Sequence, residues 1–162
     1  MTYYYLKNWQ NIDIPFRLIQ LSIDDQERLA QLDIDPINFP QSDSSTQLSQ
    51  SINLALSDYF RGKLIQFDIT LAPAATEFQQ RFRQALLAIP FGTTKTYGEL
   101  AKQLNSSPRA IGAACRANRI PIIVPCHRVV AANGIGGYAG ETEGELITRK
   151  RWLLDHETYS LK

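Results

Sequence analysis

Cys126 stands between Pro125 and His127 in the run IVPCHRVV, residues 123–130. Either this thiol is packing or it is a reagent. A buried cysteine often behaves as a small hydrophobe, whereas a reactive one needs a cationic or hydrogen-bonding neighbour to form the thiolate. In an extended strand, His127 would point to the opposite face from Cys126. A direct bond between them therefore requires the backbone to turn; otherwise a bridging water or a buckled segment must link them. The pair His156–Glu157 closes the last predicted helix. It offers a carboxylate to orient His127, or only a polar helix end.

A second group of residues suits a different task. In PRAIGAACRAN the residues Ala110, Gly112, Ala113, Ala114 and Ala117 make a narrow helix, with Arg109 in its first turn and Arg116 near its end. Small residues of this kind serve close packing against another helix. They also serve a helix that presses its backbone against DNA, where arginines and a helix N-terminus attract phosphate. Cys115, Cys126, His127 and His156 lack the paired short spacings of a structural zinc site, so no metal is expected. The glycines at 134, 136, 137, 140 and 144 are not followed by Gly-Lys-Ser/Thr and form no phosphate loop.

The elements that must position these residues are partly legible. PFRLIQLSI reads as a strand, and PQSDSSTQLSQ as a polar loop running into a helix start. From Ser45, the residues Leu48, Ile52, Leu56 and Phe60 share one helical face, and Gly62 marks the stop. LIQFDITL alternates Ile65, Phe67, Ile69 and Leu71 against polar residues, which predicts a half-buried strand. APAA, Ala72–Ala75, changes the character of the chain and sets a domain boundary, giving 1–74 and 75–162. Phe78, Phe82, Leu86 and Ile89 form the stripe of a further helix, closed by IPFGTT. TYGELAKQL and PRAIGAACRAN are two short helices about the turn NSSP, the helix-turn-helix pattern, with Ser107 as cap and Pro108 at the first position. LITRKRWLLDHE ends the chain as an amphipathic helix.

Composition is that of a globular chain without an apolar run of transmembrane length or an export signal, and two cysteines give no disulfide framework. A cytoplasmic protein with no membrane association is expected. Charge is uneven. Residues 1–70 hold five Lys/Arg against nine Asp/Glu, whereas residues 81–128 hold eight basic residues against Glu99 alone. Such an excess suits a polyanion, or an ordinary solvated helical face.

PCHRVV, preceded by ANRIPIIV and followed by NGIGGYAG, resembles the acceptor-site signature of the O6-alkylguanine-DNA alkyltransferases, also called methylated-DNA–protein-cysteine methyltransferases. TEFQQRFRQALLAIPFGTTKTYGELA and SDYFRGKLIQFDITL resemble the family's approach to its helix-turn-helix and its interdomain segment, so the likeness runs over roughly 48–157. The resemblance implies an α+β fold: a small sheet-plus-helix N-terminal domain of ribonuclease H-like form, then a mostly helical domain with the helix-turn-helix. It implies that Cys126 accepts the alkyl group, that His127 takes its proton through a water, and that Glu157 orients His127. Asn118 would brace the acceptor turn and Tyr97 would donate to the departing guanine. Arg109 would fill the gap left by a flipped nucleotide, with Ala110, Gly112, Ala113 and Arg116 along the DNA. Cys115, Pro121, Val129, Tyr138 and Ala139 would line the pocket, the main chain at Cys126 and Val129 reading the guanine edge.

The implied reaction is irreversible transfer of the alkyl group from O6-alkylguanine, with O4-alkylthymine as a minor substrate. The base is extruded to reach the thiol, and the thioether product spends the protein in one turnover. The implied partner is double-stranded DNA carrying alkylated bases, bound by a monomer, with no cofactor. The chain departs from the family pattern at Arg83, where Trp is usual, and at Ala139, where Ser is frequent. About five extra residues stand between Tyr138 and Lys150, which suggests a longer lid at 141–145. Other classes remain open on the residues. A non-catalytic damage sensor would lack the acceptor cysteine. A transcription regulator would show sequence-specific affinity, and a cysteine hydrolase would show turnover.

Overall fold

The computed structural model describes residues 1–6, 14–36 and 46–161. The polar stretch at 40–45 and the expected helix start at Ser45 lie outside the described residues. The protein is a mixed α/β chain that divides into two compact units, Met1–Pro73 and Ala74–Lys162.

In the first unit, β1 (Thr2–Leu6), β2 (Ile19–Ile23) and β3 (Leu29–Ile34) form an antiparallel sheet in that order. Every residue of β2 is buried, Gln20 and Ser22 as well as Ile19, Leu21 and Ile23, so the central strand is covered on both faces. Helix α1 (Gln47–Phe60) starts at Thr46, whose hydroxyl caps the Ser49 N–H while Ser49 answers the Thr46 N–H. Its inward face carries Ile52, Leu56, Tyr59 and Phe60, and Phe60 meets Phe16 edge-on at 5.3 Å. The helix stops where Gly62 takes φ 69°, with Gly62 N–H to the Tyr59 carbonyl and Lys63 N–H to Asp58. That is the glycine-terminated helix end in which a left-handed residue reverses the chain.

The strand expected over 64–71 is corrected. That segment forms no ladder of its own and meets the sheet only where Leu71 bridges Leu29 in parallel. Ile65 is 59% exposed. Alternation supplied the right period, but only the end of the segment reaches an edge, where Leu29 N–H donates to the Thr70 carbonyl and Ala72 N–H to the Leu29 carbonyl, each at 2.9 Å.

In the second unit, α2 (Glu77–Leu87) is capped by Thr76 and buries Phe82, Ala85 and Leu86, with Phe78 stacked on Phe82. A two-residue strand β4 (Lys95–Thr96) leads into α3 (Tyr97–Gln103), capped reciprocally by Thr96 and Glu99. After a turn at 104–107, α4 (Pro108–Arg116) begins with Ser107 accepting from the Ala110 N–H and Pro108 in the first turn. β4 pairs in parallel with β5 (Val129–Val130), the residues directly after the turn that holds Cys126. Helix α5 (Glu145–Tyr159) turns Ile147, Lys150, Leu153 and Glu157 inward. None of the helices is long and apolar enough to cross a membrane, among the described residues.

Candidate active site

The segment holding Cys126 is folded on itself by short turns. Ile123 N–H bonds the Pro121 carbonyl at 2.9 Å around Ile122, which takes φ 72°. A β-branched residue there is strained, and full burial of Ile122 holds it. Cys126 N–H then bonds the Val124 carbonyl at 2.8 Å, and Pro125 between them has φ −83° and ψ 65°. This inverse γ-turn leads straight into a single 3₁₀ turn, Cys126–Arg128. The backbone therefore does turn at Cys126, and the opposite-face geometry of a strand does not apply.

Asn118, just past the end of α4, ties this segment together. Its carbonyl oxygen accepts from Ile120 N–H at 3.1 Å, and its amide nitrogen donates to the Val124 carbonyl at 2.8 Å and to Cys126 Sγ at 3.1 Å. Burial pushes the Cys126 thiol up, and the Asn118 hydrogen bond and the Lys150 charge act against it. A thiolate here needs a base to take the proton.

His127 and Arg128 point to α5. His127 Nε2 lies 2.7 Å from Glu157 Oε1, with both side chains excluded from solvent. Arg128 grips the same carboxylate twice, at 2.9 and 3.0 Å, and donates to the Ile89 carbonyl at 2.7 Å. Gly92 N–H adds a fourth donor at 3.0 Å. Burial alone would raise Glu157, but His127 and Arg128 hold its carboxyl well below the usual carboxylate range. Burial pulls His127 below the ordinary histidine value, partly offset by Glu157. His127 is thus neutral at pH 7. Because Glu157 is an ionised acceptor, the network assigns the proton to Nε2 and leaves Nδ1 with its lone pair. Nδ1 is buried and has no partner among the described residues.

Lys150, seven residues before Glu157 on the same face of α5, is fully buried. It donates to the Val129 carbonyl at 2.6 Å and the Gly137 carbonyl at 2.9 Å. Burial lowers its pKa to about 8 against the pull of Cys115 and Cys126. Tyr97 OH donates to the same Gly137 carbonyl at 3.1 Å. Burial, with the two thiols nearby, pushes that phenol up to about 12, so it keeps its proton.

A cleft of about 200 Å³ opens beside Cys126, walled by Tyr97, Gly112, Cys115, Arg116 and the stretch 137–142. Tyr138 and Glu141 exchange backbone bonds at 2.8 and 2.9 Å around Ala139, φ 50°, and Gly140, φ 95°. This two-residue turn needs left-handed conformations at both positions. A Cβ on Gly140 would also collide with the Arg116 guanidinium.

Of the expected pocket residues, Cys115, Tyr138 and Ala139 line the cleft. Pro121 and Val129 are not among the residues of this wall: Pro121 is half-buried in the γ-turn, and the Val129 carbonyl accepts from Lys150. Arg109 and Ala113 are exposed on α4, with Ala110 half-buried, while Gly112 and Arg116 reach the cleft wall. Sequence reading missed Arg128 and Lys150. Lys150 had one signal, its register with Ile147, Leu153 and Glu157. Among the described residues, no three His, Cys, Asp or Glu side chains gather as a metal site requires.

Residues 77–159 match the family model described as 6-O-methylguanine DNA methyltransferase, DNA binding domain. The methylated-DNA–protein-cysteine methyltransferase of Mycobacterium tuberculosis (strain H37Rv) is 49% identical over 105 residues, 63% of this chain and 61% of the relative. The chain thus matches about three fifths of that relative's length. The protein of the same name from Methanosarcina mazei is 46% identical over 116 residues, 70% of each chain. In three dimensions, the crystal structure of Mycobacterium tuberculosis O6-methylguanine methyltransferase superposes with a TM-score of 0.78 at 34% identity, covering 98% of this chain and 94% of that one. The structure of Mycobacterium tuberculosis OGT in complex with DNA gives 0.77 at 33% identity, covering 98% and 93%. With a reactive-site geometry, a domain match and a whole-chain structural likeness in agreement, the chain belongs to the 6-O-methylguanine DNA methyltransferase family.

Proposed function

We propose that the protein repairs alkylated DNA by moving the alkyl group from O6 of guanine, and to a lesser extent from O4 of thymine, onto Cys126. The observation that carries this reading is that Cys126 lines the cleft while its Sγ is held by Asn118. Beside it in the chain is a neutral imidazole with an open nitrogen, backed by a clamped carboxylate.

In this reading, a water between His127 Nδ1 and Cys126 passes the thiol proton to the imidazole, and Glu157 stabilises the resulting imidazolium. The sulfur attacks the alkyl carbon, the S–C bond forms, and the C–O6 bond breaks with its electron pair going to guanine. Guanine takes up a proton, aided by the Tyr97 hydroxyl turning from Gly137 to the base. The ionised Glu157 is not consumed. The thioether is stable in water, so each molecule reacts once.

The target lies inside a base stack and must be extruded. The pair α3–α4 acts as a helix-turn-helix laid against the minor groove, with Ala110, Gly112 and Ala113 allowing close approach. Arg109 fills the vacated stack and Arg116 closes the cleft side. The first unit supplies a ribonuclease H-like domain, the boundary falls near 74–75, and the protein works as a monomer in the cytoplasm on double-stranded DNA.

Intact-mass measurement after incubation with a duplex containing O6-methylguanine tests the proposal. The expected result is a gain of one methyl per chain that then stops, absent in Cys126→Ser. Continued turnover, or a gain that survives Cys126→Ser, would overturn it.

A further inference from the structure

Alkyl transfer gives no chemical part to a second thiol at the same cleft. Cys115, in the last turn of α4, lines it together with Cys126, and both cysteines are free. One residue ties the two positions. Asn118 N–H donates to the Cys115 carbonyl at 3.2 Å, and the Asn118 side-chain amide donates to Cys126 Sγ at 3.1 Å. Lys150 and Tyr97 each lie within electrostatic reach of both thiols, which places the two sulfurs in one neighbourhood. A sulfenic acid formed beside a second thiol condenses with it to a disulfide, whereas one left alone oxidises further to irreversible acids.

We propose that Cys115 is a resolving thiol for Cys126: hydrogen peroxide oxidises the acceptor to a sulfenic acid, and Cys115 closes it as a Cys115–Cys126 disulfide. This bridge holds the protein in an inactive form that a dithiol restores. The proposal rests on the alkyl-transfer reading, because the relay through His127 that frees the sulfur for carbon also frees it for peroxide. In the first step the Cys126 sulfur attacks one peroxide oxygen. The S–O bond forms, the O–O bond breaks, and the departing hydroxide takes the relayed proton and leaves as water. Sulfur gives up the two electrons that reduce the peroxide. In the second step the Cys115 sulfur attacks that of Cys126, the S–S bond forms and the S–O bond breaks. The hydroxide released takes the Cys115 proton, so two thiols and one peroxide give one disulfide and two waters.

Burial, and then the charge of Cys126, push the Cys115 thiol up to about 12, while Lys150 pulls it down. Cys115 therefore stays protonated beside a Cys126 thiolate. A sulfenic acid is neutral, so oxidation removes the Cys126 contribution and leaves that of Lys150, which favours attack at the second step. Cysteine bridges in a reducing compartment are transient and regulatory.

The test treats the free protein with a small excess of hydrogen peroxide. Intact mass, peptide mapping and methyl transfer are read before and after dithiothreitol, each protein against its own untreated sample. Wild type is expected to lose two hydrogen masses, to yield a peptide pair joined through Cys115 and Cys126, and to stop accepting methyl. Dithiothreitol should restore most of its transfer. Cys115→Ser is expected to gain oxygen on Cys126 instead and to recover several-fold less, with Cys115→Ala in its place should the serine variant not fold. Oxygen gained by wild type without an internal bridge, a bridge between chains only, or equal recovery in the two proteins overturns the Cys115 assignment. Failure of untreated wild type to take methyl overturns the transfer reading instead, and the mass change on peroxide still decides whether the bridge forms.

Discussion

One amide nitrogen of Asn118 serves both the Val124 carbonyl, at 2.8 Å, and Cys126 Sγ, at 3.1 Å. The side chain that bends the acceptor segment is therefore the one that stabilises negative charge on its sulfur. Loss of this residue should damage fold and chemistry together. Asn118→Ala is expected to cost about 2 kcal/mol of stability for its three part-buried hydrogen bonds. It should slow methyl transfer by roughly tenfold or more, since a donor to a developing thiolate is removed. Thermal denaturation and a mass time course on the same samples check both.

The His127–Glu157–Arg128 cluster sets the acid limit. His127 is held below 6.5, so it stays neutral as pH falls through that value. The transfer rate is expected to be flat from pH 8 to 6.5 and to fall only below that range. For stability, both depressed groups act in one direction. The His127 contribution is present above 6.5 and declines below it. That of Glu157 is present above 4.5 and is lost as pH drops towards its lower folded value. Glu157→Gln should be less stable than wild type at pH 7 and lose less on acidification. Parallel acid-unfolding curves for the two proteins would contradict this.

Lys150 holds β5 to the Gly137 stretch through two carbonyls. Lys150→Met leaves the Val129 carbonyl unpaired and should cost about 1–3 kcal/mol at pH 7. The folded pKa near 8 lies below the unfolded 10.5, so the penalty for the buried charge is full below pH 8 and is relieved as pH rises. Wild type should therefore gain about 2 kcal/mol on the methionine variant between pH 8 and 10. Denaturant titrations at both pH values measure the gap.

Gly112 offers a test of the proposed docking face of α4. A Cβ there meets nothing within 4 Å, so Gly112→Ala should stabilise the helix by about 0.5–1 kcal/mol. Gly112→Leu should still fold but hold α4 away from a groove. A drop in duplex affinity at unchanged thermal stability is the expected signature, and equal affinity would argue against α4 as the docking face.

Arg109→Ala should weaken binding to damaged duplex and make its dependence on salt shallower. Fluorescence anisotropy at several salt concentrations measures both.

What was readable in the residues was local. The cap at Ser107, the stop at Gly62, the stripes of α1 and α2 and the turn at NSSP depend on neighbours within one helical turn, and a period or a cap shows them directly. The PCHRV run pointed to Cys126 because a motif is also local. Residues 64–71 show the limit: their alternation was real, yet a strand exists only where a partner edge is free, and only Leu71 found one.

The sequence by itself determined the helices, their ends and the identity of the thiol, because these follow from side-chain spacing and short-range hydrogen bonds. Only the tertiary structure decided that Arg128 and Lys150 are interior charges, that Val129 gives its carbonyl to Lys150, and that β4 lies beside β5. A charged residue on a helix reads as solvated until distant acceptors surround it. Those acceptors (Glu157, Val129, Gly137) come from segments far along the chain, which no local pattern brings together.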